Sequence, residues 1–389
     1  MRAHFRLSPA EAWPPTTLSR TVLPPILVSL ALVLIACQPR QTSTSTPTPT
    51  TIPPTETCSP PTSTPITSNT QTPTPSPVPA TDTPALPSPS PTRLPPLSGS
   101  GGGRILFSSR RGEGDYEVYV MNADGTDKRQ LTHDTVESEN PAWSPNGTRF
   151  LYTLDDYAGG SDIYLRIADG SGKQRLTRGG NTTGGAWSPD GARIAIARNT
   201  QGGSSDLYLL AVRDLAGAGG GGAHRLTDLG NLGVMSPSWS PDGRHIVCVV
   251  DADPDPQSWE LSLYVLDAHD ALPGGEVDLT DMRPLPRVGE SLNDWPVWSP
   301  TGSQIAFSAV VDGHRDLYLV NADGTDLQQL THTPDFDEFA PGWSPDGTHI
   351  VFQANPDAQW DIYTMRAEGS GRRQLTTDPA NDTAPCWAP

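Results

Sequence analysis

A six-bladed β-propeller is the fold class this sequence predicts, and three repeats predict it. A Trp-Ser-Pro-Asp-Gly frame stands at Trp143, Trp187, Trp239, Trp298 and Trp343, with a worn sixth copy at Cys386-Trp387-Ala388-Pro389. Tyrosine-bearing segments keep the same rhythm, at Tyr119, Tyr164, Tyr208, Tyr264, Tyr318 and Tyr363, as do six Leu-Thr pairs from Leu131-Thr132 to Leu375-Thr376. The tryptophans are 44, 52, 59, 45 and 44 residues apart, the period of a four-stranded blade. An alternating apolar segment after each of the first five reads as a strand, whose side chains point to its two faces in turn.

Each repeat runs through its elements in one order. A short strand ends at the tryptophan, and a tight turn follows in which Asn146, Asp190, Asp242, Thr301 or Asp346 precedes Gly147, Gly191, Gly243, Gly302 or Gly347, because glycine tolerates the positive φ such turns need. A second strand, a loop, the tyrosine strand and the Leu-Thr strand complete the blade. In the last full repeat the four are expected at residues 341–343, 349–353, 361–365 and 373–376. Tryptophans recurring at one position are expected as packing units between blades. The acids opening the tyrosine strands, Asp162, Asp206, Asp316 and Asp361, are expected to bond neighbouring backbone amides.

The ends of the repeat region predict how the ring closes. Arg104-Ile105-Leu106-Phe107 reads as a second strand with no tryptophan strand before it, and the chain ends on Trp387, a first strand with no blade after it. Pairing residues 384–387 with 104–108 completes one blade from both termini and leaves no open inner edge.

Ahead of the propeller, expected over residues 104–389, two segments serve other purposes. The apolar run 22–35 follows Arg2, Arg6 and Arg20 and leads to Cys37, the layout of a signal peptide over residues 1–36. At about 14 residues it is shorter than the roughly 20 a membrane-crossing helix needs. Leu34-Ile35-Ala36-Cys37 resembles the lipobox of bacterial lipoproteins, which implies cleavage before Cys37 and lipidation of its thiol; an uncleaved signal anchor is the other reading. Residues 37–103 are rich in Thr, Pro and Ser, too poor in apolar side chains to offset ordering entropy, and are expected as a disordered stalk.

Charge and cysteine usage exclude several functions. The formal net charge of −18 falls on the repeat region, since residues 1–98 carry five basic and three acidic side chains; nucleic-acid binders need basic patches, so no nucleic acid is expected. Cys37, Cys58, Cys248 and Cys386 follow no metal-ligand spacing. Cys248 and Cys386 belong to blades on opposite sides of a six-fold ring, too far apart for a disulfide, and are expected as buried thiols. His133 and His332 share a repeat position in blades that are not neighbours, and no zinc site follows. Asp251, Asp253 and Asp255 resemble the start of a calcium loop, but Pro256 stands where that loop needs glycine.

The frame Trp-Ser-Pro-Asp-Gly-x-x-Ile-x-Phe, followed by Asp-Ile-Tyr and Ala-Asp-Gly-Thr, resembles the WD-repeat-like propeller repeats of the TolB family over about residues 104–389. The resemblance implies the fold and an extracytoplasmic setting, in a periplasm or at a cell surface. The α/β domain preceding the propeller in TolB has no counterpart in that span. Propeller hydrolases carry a Gly-x-Ser-x-Gly nucleophile elbow; the sequence contains none, and no enzyme is expected.

Alternating strand directions place the Asp-Gly turns on one face and the second-to-third and blade-to-blade loops on the other. The second face varies in length and chemistry, as recognition surfaces do. Its blade-to-blade loops are expected to bring Glu137, Glu139, Asn140, Asp294, Trp295, Asp337, Glu338, Phe339 and Asp382 to the mouth of the central channel. The second-to-third loops add Asp155, Asp156, Tyr157, Asp251, Asp253, Asp255, Trp259, Asp357 and Trp360. Acids interleaved with aromatics suit a protein or cationic peptide. No cofactor is expected beyond an adventitious divalent cation at the mouth. The expected protein is a monomeric, non-enzymatic binding lipoprotein that meets the membrane through its lipid alone. A structural envelope lipoprotein without a specific ligand, or a propeller hydrolase or lyase with an unrecognised site, are the alternatives.

Overall fold

A computed structural model describes residues 103–111, 114–155, 160–179, 182–200, 204–212, 223–252, 260–268, 277–289 and 292–389. The signal segment, Cys37, Cys58 and the stalk lie outside the described residues, as do Asp156, Tyr157, Asp253, Asp255 and Trp259.

The described chain forms 24 strands in six four-stranded antiparallel sheets. Blade 1 contains β1 (Arg104–Ser109), β2 (Glu117–Asn122) and β3 (Arg129–Gln130). Blade 2 is β4 (Glu137–Trp143), β5 (Arg149–Asp155), β6 (Ser161–Ile167) and β7 (Gln174–Arg175); blade 3 is β8 (Thr182–Trp187), β9 (Arg193–Asn199), β10 (Ser205–Ala211) and β11 (His224–Arg225). Blade 4 is β12 (Gly233–Trp239), β13 (His245–Asp251), β14 (Leu261–Asp267) and β15 (Arg283–Pro284), the last preceded by a single 3-10 turn at Leu279–Asp281. Blade 5 is β16 (Asn293–Trp298), β17 (Gln304–Val311), β18 (His314–Asn321) and β19 (Gln328–Gln329). Blade 6 is β20 (Glu338–Trp343), β21 (His349–Ala354), β22 (Asp361–Arg366) and β23 (Arg373–Gln374). The final strand, β24 (Asp382–Trp387), returns to pair with β1.

That pairing is the closure the termini imply. Ile105 faces Trp387, Leu106 faces Cys386, and Ser109 faces Asp382 in antiparallel register. Gly103 lies so close to the Trp387 indole that a Cβ there would meet Nε1 at 2.3 Å, so only glycine lets the chain enter the blade along this path. Inner strands β4, β8, β12, β16, β20 and β24 each contact the next in a closed circuit, and the outer edge of each sheet is a strand of only two residues. Short edges limit pairing with other chains.

Packing between blades follows the repeat. Trp143 of blade 2 packs with Leu106 and Val118 of blade 1, and Trp298 of blade 5 with Val247 and Val249 of blade 4, as expected for the tryptophans. The Ser-Pro-Asp-Gly frame is explained by its turn. Ser188 Oγ donates to Asp190 Oδ1 at 2.5 Å while Gly191 N donates to Ser188 O at 2.8 Å, and Ser240–Asp242 and Ser344–Asp346 repeat the arrangement.

The acids opening the tyrosine strands behave differently from the expectation. Asp162, Asp206 and Asp361 accept mainly from side chains, the hydroxyls of Thr177, Thr227 and Thr376 in the Leu-Thr pairs and the outer-strand Arg175, Arg225 and Gln374. Each threonine Oγ1 in turn accepts the amide of Ile163, Leu207 or Ile362. The buried carboxylate thus clasps the outer strand through threonine, and amide contacts such as Thr333 N to Asp316 Oδ1 at 3.0 Å are the minority.

Candidate functional site

The innermost strands share one irregularity, which shapes the channel side of the loop face. In each, the residue three before the tryptophan takes a positive φ: 53° at Asn140, 63° at Gly184, 50° at Ser236, 51° at Trp295, 51° at Ala340 and 49° at Ala384. The strand register slips at the same place in every blade. Each slip is a β-bulge, which leaves the extra residue unpaired and re-aims its side chain. Proline follows the bulged residue in five blades, as Pro141, Pro237, Pro296, Pro341 and Pro385. It falls where the ladder is already broken, so its missing N–H costs no bond.

Four of the acids expected at the channel mouth are buried and paired with arginines. Asp382 and Glu338 are fully covered. Arg111 Nη2 lies 2.5 Å from Asp382 Oδ2 and 2.6 Å from Asp378 Oδ2, and Arg372 Nη1 lies 2.5 Å from Glu338 Oε1. Arg110 pairs with the buried Glu137. Arg315 approaches Asp294 Oδ2 at 3.3 Å, and its own amide donates to Asp337 Oδ1 at 2.9 Å. Burial pushes the carboxyls of Asp294 and Asp382 up to about 6, against the lowering effect of Arg315 and Arg111; burial also raises Glu338. The Asp382, Glu338 and Asp294 pairs each lie within one blade, and Arg110–Glu137 joins blade 1 to blade 2. The acid pattern did not reveal their partners, because Arg111 and Arg372 come from loops remote in sequence from the carboxylates they cover.

The aromatic part of the face divides in the same way. Phe339 and Trp360 are buried with Ala340 in a small cluster, and only Trp295, half-exposed, reaches outward from it. The Trp295 and Phe339 rings meet edge to face at 5.4 Å, and the Arg315 guanidinium lies 4.9 Å from the Phe339 centroid. A bulky side chain at positive φ is a backbone outlier, and Trp295 is the one aromatic held there among the described residues.

Glu139 is the acid that remains available. It is partly exposed and forms no hydrogen bond or ion pair with the described residues. Burial, then the neighbouring charges of Glu137 and Asp155, pushes its carboxyl up to about 8 against the pull of Arg110. Asn140, beside it on the bulge, is also partly exposed. Of the second-to-third loop residues, Asp155 and Asp251 are partly exposed and Asp357 is exposed, whereas Trp360 is buried. The acids are unevenly distributed around the ring. Strands β8 and β12 carry Thr182, Val234 and Met235 at positions where β4, β16, β20 and β24 carry Glu139, Asp294, Glu338 and Asp382.

Among the described residues, no three His, Cys, Asp or Glu side chains are arranged to hold a metal ion. His133 and His332 are both exposed, and Cys248 and Cys386 are free thiols, the first buried and the second partly so.

The sequence matches no protein-family model and no characterised protein; the likenesses are structural. TolB from Acinetobacter baumannii superposes with a TM-score of 0.61 at 20% identity, over 75% of this chain and 68% of that one. A putative TolB from Agrobacterium tumefaciens gives 0.54 at 22% identity, over 72% of this chain and 90% of that one. The tricorn protease gives 0.51 at 16% identity, but only 26% of that chain is covered. The described residues therefore form a TolB-like six-bladed propeller.

Proposed function

We propose that this chain is an extracytoplasmic lipoprotein, anchored through a lipid on Cys37, whose propeller binds a protein or cationic peptide on its loop face without catalysis. The reading takes its support from Trp295. An indole held at φ 51° and half-exposed, braced edge-on by a buried phenylalanine, is the kind of rigid aromatic anchor on which interface energy concentrates. Glu139, on blade 2 across the ring from Trp295, supplies a carboxyl without an ion-pair partner among the described residues. Asn140, Asp155 and Asp337 stand at the rim, while Asp294, Glu338, Phe339 and Asp382 support the surface from beneath. A protein with this charge repels nucleic acid, acts as a monomer and contacts the membrane through its lipid.

The proposal is tested with an array of arginine- and lysine-bearing peptides and the full chain. Peptides captured by the wild type should bind Trp295→Ala about thirtyfold more weakly, the loss expected of a hot-spot aromatic worth about 2 kcal/mol, with the melting temperature little changed. A cation draws Glu139 into its charged form, so capture should tighten as pH rises from 7 towards 9, and Glu139→Gln should remove that slope. Arg110, Glu137, Asp155 and Tyr116 surround the group and do not change in the variant. Capture indifferent to both substitutions would reject the loop face as the site. Labelled palmitate should enter the wild type and not Cys37→Ser.

A further inference from the structure

The opposite face carries a separate feature, independent of the reading above. The residue that opens the second strand is, in blades 1 and 3, an arginine that covers the next blade's tryptophan. The Arg104 guanidinium lies 5.2 Å from the Trp143 centroid and that of Arg193 4.8 Å from Trp239. Blade 4 has His245 in this place. Its imidazole stands 6.4 Å from the Trp298 ring, inclined by 31°, and beside the pair opens a cleft of about 420 Å³ between the turns of blades 4 and 5.

Two carboxylates line this cleft, Asp242 from blade 4 and Asp323 from blade 5. Asp242 Oδ1 accepts from Ser240 Oγ and Arg244 N, and Asp323 Oδ1 from Thr325 N and Oγ1. Oδ2 of each accepts no hydrogen bond from the described residues. Arg283, also in the lining, is turned to the Ala322 carbonyl, with Nη2 at 2.5 Å. The lining thus sets two carboxylates beside a single guanidinium that is itself turned to a carbonyl. Between blades 3 and 4 the equivalent space is occupied by the chain's own Arg193, whose charge acts on the Asp190 turn carboxylate while its guanidinium covers Trp239.

We propose that the cleft between blades 4 and 5 takes a guanidinium from outside the chain, an arginine side chain of a bound peptide, in the position that Arg193 fills one interface earlier. A planar guanidinium stacks on an aromatic face and pairs with carboxylates at its edge, whereas an ammonium is a compact, strongly hydrated point charge. The cleft therefore favours arginine over lysine.

The test is calorimetric titration of the full chain with N-acetyl-arginine amide, N-acetyl-lysine amide and methyl glucoside. The arginine probe should bind with a Kd of about 1 to 10 mM, as expected of a small ligand making a few contacts, and at least fivefold more tightly than either of the others. His245→Arg fills the position from within and should abolish binding while keeping or raising the melting temperature. Asp323→Asn retains Oδ1 for its turn, removes the charge, and should weaken binding at least fivefold. Absence of binding to the wild type, equal binding of lysine or glucoside, or unchanged affinity in either variant would overturn the proposal. If His245→Arg fails to fold, Asp323→Asn decides.

Discussion

Blades 1 and 4 stand opposite each other in the ring and are held together by different means. Blade 4 is one stretch of chain, and its second strand is covered along Ile246, Val247, Cys248, Val249 and Val250. Blade 1 is assembled from both ends of the propeller, and its interior is notably polar. Ser108, Ser109, Glu117, Thr132, Asp382 and Thr383 are all buried there, and Arg111 bridges Asp378 and Asp382 while lying over Phe107 and Tyr119 at 5.2 and 5.4 Å. Burial of apolar area is non-directional, and a strand slipped along its neighbour can still bury much of it. Where the chain does not itself fix which strand lies beside which, directional ion pairs distinguish the correct register from its neighbours. Blade 4, already ordered by its connections, carries its Arg287–Glu260 pair outside the apolar interior, with both side chains more than a third exposed.

The largest effect should come from removing the strand that makes blade 1 different. Deleting residues 382–389 takes away β24, strips Ile105, Leu106, Ser108 and Ser109 of their inner partners and opens the circuit of inner strands. The whole propeller should lose its cooperative thermal transition, not blade 1 alone, because every inner strand rests on the next. An unchanged melting temperature would show that closure through the termini contributes nothing.

A smaller effect sharpens the same contrast through pH. Burial, with Asp378 adding to it, raises the Asp382 carboxyl from its ordinary 3.8 to about 6, against Ser109 and Arg111. An acid whose pKa is raised by folding binds its proton more tightly in the native state. It therefore favours folding most fully below pH 3.8, and that contribution is lost as pH rises through about 6. Asp294 of blade 5 shifts in the same direction for the same reason. Between pH 7 and 5 these two carboxyls should add on the order of 1 to 3 kcal/mol, read as a rise in melting temperature. Asp382→Asn should remove about half of the share due to these two carboxyls and leave the other half to Asp294, beside the rise that Glu139 and Glu338, also raised by burial, add over the same range; a slope unaffected by the substitution would place the titrating group elsewhere.

What the sequence made legible separates along the same line. Blade number, turn chemistry and closure all rest on period, and Trp143, Trp187, Trp239, Trp298, Trp343 and Trp387 display the period openly. The bulges are legible too: a proline two residues before five of the six tryptophans marks a break in the strand ladder. Glu338 and Asp382, expected in the blade-to-blade loops, lie within β20 and β24, and strand periodicity carries no information about what covers a carboxylate. That depends on Arg372 and Arg111, which lie far along the chain from the carboxylates they cover. Trp360 is buried for the same reason, since its neighbours Phe339 and Ala340 belong to another strand of the blade. At the candidate site the residue types were readable, and their exposure was not.

The two described cysteines offer the mildest way to compare blades 1 and 4. Cys248 is fully covered in an apolar strand, and burial alone pushes its thiol up, so it behaves as a small uncharged hydrophobe. Cys248→Ser places a hydroxyl where neighbouring side chains such as Ile246 and Val250 offer no partner, and should cost about 1 to 3 kcal/mol independently of pH. Cys386 is partly exposed, and its Sγ already lies 3.8 Å from the Trp387 carbonyl, within a blade accustomed to polar groups. A serine there can keep that contact, so Cys386→Ser should cost less than half as much. Equal losses in the two variants, measured by denaturant unfolding, would show that the polar interior of blade 1 is no more tolerant of a hydroxyl than the apolar interior of blade 4.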